Sequence, residues 1–347
     1  MQRLAAFLLM MACMTAGALA EKTVTLTFAG DVTLGSEERL WAEESSLVRT
    51  QAREGDAYFF ERVCPLFAQD DVTVVNLEGV LSDSSEDENR DKTYRFRGPS
   101  AFARILTAGS VEMVSLANNH TMDYGARGYA DTQAALDGEG VAHFGGREVC
   151  FFEKDGVRLA FVGCSYTTLT REERAWTMAE IARLKREEGV SAVICTYHGG
   201  QEYGDARTRK QQDFAKDAIE AGADLIIMHH AHVVQGMSVF DNRSVCYSLG
   251  NFCFGGNCRV RAMESLVVVA ELTFSDDGAY LGQQLTLYPA HVSGTEPGNN
   301  FQPLLVTDEA DVRRVMRRVQ QDTRFTLEPF DPALGAARQM FLPAEGE

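Results

Sequence analysis

Apolar residues along this chain gather in short runs, and between the runs they recur every three or four positions. The runs at 24–29, 72–76, 113–117, 159–163, 192–197, 225–228, 245–249, 266–274 and 283–288 have the length and residue types of strands. The stretches 100–108, 129–139, 171–188 and 211–221 carry the helical spacing, several with glycine near the C-terminal end. Strand and helix alternate through most of the chain, which predicts parallel βαβ units and an α/β fold. The later runs follow one another across turns, so part of the sheet system is expected to be antiparallel. The rhythm stops near residue 300. Beyond it, 308–321 reads as one exposed helix with a loose tail. A domain over residues 22–300 is therefore expected, with a helical segment and tail at 301–347.

Residues 1–20 have a different pattern. Arg3 supplies a short basic start, residues 4–14 an apolar stretch, and Ala18-Leu19-Ala20 a small-x-small cleavage site. This predicts a signal peptide of residues 1–20 and export to the periplasm or cell surface, with a membrane anchor if the segment stays uncleaved.

Composition changes the picture in two respects. The chain has 347 residues, 45% hydrophobic and 24% charged, with a formal net charge of −17. So acidic a surface repels nucleic-acid backbone and anionic lipid, which excludes nucleic acid as a partner. Any anionic substrate needs local cations; Arg95, Arg97, Arg207, Arg209 and Lys210 stand in loops near the polar segments described below and are read either as a positive rim or as solubilising charge. None of the eight cysteines forms a C-x-x-C pair, which argues against a thiol redox site or a zinc knuckle. Cys164, Cys195 and Cys246 fall in apolar runs and read as small hydrophobes. A local bridge between Cys253 and Cys258 is the weaker reading of that pair.

The candidate chemistry sits where the apolar runs end. Asp31 closes the first, Asn76 and Glu78 the second, and Asn119 and His120 the third. His198 ends a later run, and His229, His230 and His232 another. Taken singly, each has an ordinary explanation: a turn, a cap, a satisfied histidine, as His143 and His291 are read. Together they fall at one edge of a parallel sheet, where such folds place ligands. Carboxylate, amide oxygen and neutral imidazole suit a divalent transition ion such as zinc, manganese or iron. In an extended segment, the H-x-H of His230 and His232 would turn both rings to one side.

The order Asp, Glu, Asn-His, His, His-x-His resembles the ligand series of calcineurin-like metallophosphoesterases. The blocks "GDVTLG", "VNLEGVLSD", "KTYRFRGP", "VSLANNHTMDYGARGYADTQAAL", "YHGGQEY", "AGADLIIMHHAHVVQG" and "YSLGNFCFG" are similar, in order, to those of the poly-gamma-glutamate capsule synthesis (CapA) family within that fold. The resemblance implies a four-layer α-β-β-α sandwich with mixed sheets and a two-metal centre. Glu78 would bridge the ions, Asp31 and His232 would hold one, and Asn119, His198 and His230 the other. His120 would be a catalytic proton donor, steadied by Asp123. Four departures stand out. The family's H-H-P-H reads His229-His230-Ala231-His232, with Met228 where a glycine is expected before it. The D-x-H usual in metallophosphoesterases has Thr33 in its third position, which implies a weaker first ion or a water there. H-W-G reads His198-Gly199-Gly200, which removes an aromatic wall. Ser36, Glu37 and Glu38 stand where a basic residue often follows the first motif. The function implied is metal-dependent hydrolysis in capsule-polymer metabolism. A non-catalytic polymer-binding or export component associated with membrane-bound capsule synthesis machinery, and a phosphoesterase on small anionic esters, remain open.

Overall fold

A computed structural model of the protein describes residues 21–165, 171–186, 189–257, 259–295 and 298–344. The expected signal peptide at 1–20 and Cys258 lie outside them. Two sheets stack face to face. The larger runs β16 (Leu304–Leu305), β15 (Tyr280–His291), β14 (Glu264–Phe274), β1 (Lys22–Thr33), β2 (Val72–Leu77), β5 (Met113–Ser115), β6 (Ala142–Phe144). On this sheet β13 (Asn251–Phe254) pairs with β1, while β17 (Ala337–Arg338) and β18 (Leu342–Pro343) pair with β15. The smaller runs β11 (Met237–Phe240), β12 (Arg243–Cys246), β10 (Leu225–His229), β9 (Ala192–His198), β8 (Val157–Ser165), β7 (Val149–Lys154). A separate ribbon joins β3 (Val80–Leu81) to β4 (Arg97–Gly98).

Both sheets have parallel centres. β1, β2, β5 and β6 run parallel in one, and β8, β9, β10 and β12 in the other. β14 and β15 are antiparallel, as their turn-linked sequence predicts. Between the sheets, Leu26, Phe28 and Val74 pack against Phe161, Ile194 and Ile227 in one fully buried core. The outer face of the large sheet is covered by α1 (Leu47–Glu54), α2 (Cys64–Phe67), α3 (Ala103–Ala108) and α4 (Gly125–Gly138), through Leu47, Phe67, Ile105 and Leu136. That of the small sheet is covered by α5 (Arg171–Arg186) and α6 (Arg209–Ala221), through Ile181, Leu184 and Phe214. The result is the four-layer α-β-β-α sandwich. α6 begins on a capping box in which Thr208 and Gln211 satisfy each other's backbone N–H, and it ends at Gly222 in the left-handed region.

The segment beyond residue 300 departs from expectation. α7 (Glu309–Gln321) is not an exposed helix: it buries Val312, Val315 and Val319, and the last two join the central core. Each such burial is worth roughly 1.5–3 kcal/mol. Nor is the tail loose. β16, β17 and β18 add three short pieces along the outer edge of β15.

One glycine fixes how the carboxyl end of β1 enters the site. A Cβ at Gly30 would lie 2.0 Å from the Gly250 carbonyl oxygen, the same oxygen that accepts the Asp31 N–H at 2.9 Å. Neither backbone can move without moving Asp31. Gly30→Ala is therefore expected to cost about 3 kcal/mol or more, measured by urea unfolding; a loss below about 1 kcal/mol would contradict this packing.

Candidate metal centre

The parallel strands deliver their carboxyl ends to one rim, and the polar residues of both sheets meet there. Asp31 lies two residues before the end of β1, Glu78 follows β2, and Asn119 and His120 follow β5. From the facing sheet come His198 at the end of β9 and His229, His230 and His232 at and beyond the end of β10. Asp31, Glu78, His120, His198, His229, His230 and His232 are all buried, and Asn119 is half-buried.

On one side, Asn119 Oδ1 lies 2.7 Å from His198 Nε2, which lies 3.1 Å from His230 Nδ1. Spacings of about 3 Å are the edges of an octahedral shell with bonds near 2.1 Å. On the other side, Asp31 Oδ2 lies 3.2 Å from His232 Nδ1. Glu78 stands between them. Its Oε1 is 3.8 Å from the Nε2 atoms of His120, His198 and His232, and neither oxygen has a hydrogen-bond partner. Orphaned carboxylate oxygens with no solvent exposure fit a divalent cation, as do the two ligand groups Asp31–Glu78–His198 and Glu202–His230–His232.

The electrostatics follow from burial and mutual contact. Burial pushes the Glu78 carboxyl up to about 8, with His232 opposing. Burial would also raise Asp31, but His229 and His232 hold it well below the ordinary carboxylate range. Burial lowers the pKa of His198 and His230, leaving neutral imidazoles with lone pairs to donate. At His232 burial is overcome by Glu78 and Asp31, which raise it to about 10.

The Asn-Asn-His turn divides its labour. Asn118 locks the loop: its Nδ2 donates to Leu77 O at 2.8 Å and to Asn76 Oδ1 at 3.2 Å, while its Oδ1 accepts from His120 N at 3.0 Å. Asn119 is left to face His198. His120 Nδ1 meets Asp123 Oδ2 at 2.6 Å, which turns Nε2 toward Glu78. Asp123 is fixed in turn by Lys92 Nζ and by Phe96 N–H at 2.7 Å, and Lys92 also donates to Asn119 O at 2.7 Å. Burial lowers the His120 pKa against the pull of Asp123. Distance alone does not separate His120 from the ligand candidates, since its approach to Glu78 equals those of His198 and His232.

Several particulars differ from the sequence reading. The H-x-H segment is a bend, not extended backbone: His230 and His232 have φ of 92° and 57°. Each left-handed residue costs about 1–3 kcal/mol, and such strain concentrates at functional sites. The rings reach the same centre, 6.0 Å apart, by that route. The aromatic wall missing at Gly199 comes from elsewhere: Phe96 lies 4.3 Å from the His120 ring, and Phe254 5.3 Å from that of His232. Three of the five cations of the supposed positive rim are spent on structure. Arg97 is buried against Glu38 and the Trp41 ring, Arg207 pairs with Asp322, and Arg95 pairs with Glu88. The cations near the site are Lys92 and Arg261, the latter 3.6 Å over the Tyr203 ring, which flanks His232. Asn76, a candidate group at a strand end in the sequence, donates to Asp31 Oδ1 at 2.9 Å and touches His198 Nδ1 at 3.2 Å. Residues given no role from the sequence are Lys92, Phe96, Asn251 and Glu202. All four sit inside quoted blocks, but such a residue has no chemical signature until its neighbours are known. His143, half-buried in β6, pairs with Asp137, in keeping with an ordinary histidine.

The family described as bacterial capsule synthesis protein PGA_cap matches residues 25–256, which contain every residue named at the rim except Arg261. Capsule biosynthesis protein CapA of Bacillus anthracis is 27% identical over 323 residues, covering 86% of this chain and 74% of that protein. PGA biosynthesis protein CapA of Bacillus subtilis (strain 168) is 23% identical over 349 residues, covering 92% of this chain and 86% of that one. With the matched span taking in the small sheet, the parallel strands of the large one and the polar rim apart from Arg261, the chain belongs to the poly-gamma-glutamate capsule synthesis (CapA) family.

Proposed function

We propose that this protein is an exported, metal-dependent hydrolase acting on a poly-gamma-glutamate-type polymer, with two divalent ions at the rim of the sandwich. The observation that carries the reading is Glu78. A carboxylate buried without a hydrogen bond costs several kcal/mol, and a position between two cations removes that cost. Asn119, His198 and His230 would hold one ion, Asp31 and His232 the other, with Glu78 shared. Two such ions, when bound, supply Lewis acidity and lower the pKa of water to about 7.

The chain's own residues do the rest. Asp123 holds the His120 Nδ1 side, so Nε2 is the atom that passes a proton to the leaving amine of a cleaved amide. Phe96 and Phe254 exclude water from one side of the rim. Arg261, exposed at the mouth, offers a positive charge to a substrate carboxylate in an otherwise acidic protein. No helix among the described residues is long and apolar enough to cross a membrane.

The test is to incubate the manganese-loaded protein with poly-gamma-glutamate and follow chain length and new amino groups, with aryl phosphate esters in parallel. Metal-dependent shortening of the polymer is expected. A loaded protein that retains the polymer without cleaving it would replace hydrolysis by a holding role, and turnover of phosphate esters alone would move the substrate class.

A further inference from the structure

The ion assigned to Asp31 and His232 has one ligand fewer than its neighbour, and the resemblance to metallophosphoesterases puts Thr33 where their D-x-H would supply an imidazole. Thr33 does not make up the loss: it is buried and its Oγ1 has no hydrogen-bond partner. The gap is filled from two other directions. His229, the last residue of β10, is buried, and its Nδ1 stands 3.2 Å from Asp31 Oδ1 without the alignment of a hydrogen bond. β13 runs parallel to β1 with Asn251 in register with Asp31, and Asn251 Oδ1 lies 2.8 Å from His232 Nδ1. His232 Nδ1 is in turn 3.2 Å from Asp31 Oδ2. Both oxygens of Asp31 thus face an imidazole, and an amide oxygen lies against the second of these.

We propose that His229 and Asn251 complete the coordination of the ion held by Asp31 and His232, in place of the imidazole absent at residue 33. The inference rests on the two-ion reading above. One carboxylate, two imidazoles and an amide oxygen, with Glu78 shared, make a mixed oxygen–nitrogen set suited to manganese, iron or zinc. It also gives the first two residues of the His-His-x-His segment separate tasks: His229 serves one ion and His230 the other. His229 alone comes from the regular end of β10, while His230 and His232 need left-handed backbone to reach their places.

The experiment is metal stoichiometry on the full chain after loading with manganese, with pulsed EPR to count coordinated imidazole nitrogens. The unaltered protein is expected to hold two equivalents. His229→Ala is expected to hold about one, with fewer nitrogen couplings. Asn251→Asp adds a negative oxygen at the same place and is expected to tighten the weaker ion about tenfold or more, which keeps the test open should His229→Ala fail to fold. Two equivalents with unchanged affinities in His229→Ala, one equivalent in the unaltered protein, or no tightening in Asn251→Asp would overturn the inference while leaving a metal centre. No bound metal at all in the unaltered protein would overturn the two-ion reading itself.

Discussion

Glu78→Gln is expected to stabilise the metal-free protein and to abolish its stabilisation by divalent ions. In the metal-free state Glu78 is a liability, because its two oxygens are buried without partners. Burial first, and the neighbouring carboxylate Asp31 as well, push its pKa from 4.5 to about 8. The unfolded chain releases that proton near 4.5 and the folded protein keeps it until about 8. The folded state therefore binds more protons across this window, and stability falls as pH rises, by up to about 1.4 kcal/mol per pH unit. His232 slopes the same way. Its pKa rises from 6.5 to about 10, through Glu78 and Asp31 acting against burial, so its contribution is full below 6.5 and lost as pH climbs toward 10. Melting temperature after metal removal should accordingly drop between pH 6.5 and 8. Glutamine keeps the shape, carries no charge, and should flatten much of that drop. Ions at one hundred times their dissociation constant should add about 2.7 kcal/mol to the unaltered protein and nothing comparable to the variant. Equal stabilisation of both by manganese would show that Glu78 bridges nothing.

His120→Asn is expected to lower turnover by about 10²- to 10⁴-fold while both ions stay bound. Because His120 approaches Glu78 as closely as His198 and His232 do, metal content is the measurement that assigns its role. A ligand would take an ion with it when removed; a proton donor would not. The contacts behind it make a graded series. Asp123→Asn keeps the size but weakens the hold on Nδ1, and Lys92→Met removes the cation that pairs with Asp123 while leaving its contacts with His120 and the Phe96 N–H; both should lose less activity than His120→Asn and shift the pH optimum. Loss of one equivalent of metal in His120→Asn would move it into the ligand set.

Much of this was readable before any coordinates. The central strands of both sheets announced themselves as apolar runs, because strands buried on both faces have no polar alternation to hide them. Their carboxyl ends named Asp31, Glu78, Asn119, His198, His230 and His232, since parallel strands place chemistry at that edge. What escaped had physical reasons. β13 contains Asn251 next to Gly250 and reads as a turn, although it pairs with β1 at Asp31. α1 buries only Leu47 and Thr50, too little for a periodic signal. The geometry of His230 and His232 depended on left-handed backbone, which no residue type other than glycine advertises. Arg97 looked like a surface cation because its partners Trp41, Glu38 and Tyr124 are distant or scattered in sequence. α7 looked exposed because its arginines outnumber the three valines that anchor it.

The three short pieces laid along β15 have a consequence for how the protein behaves in company. A strand of twelve residues at the margin of a sheet offers a row of unpaired amide and carbonyl groups to any other chain that can lie beside it. Leu304–Leu305, Ala337–Arg338 and Leu342–Pro343 occupy that margin at its two ends and in between. Trimming the last dozen residues would uncover most of it, and the shortened protein would be prone to self-association through strand addition even with its metal centre intact.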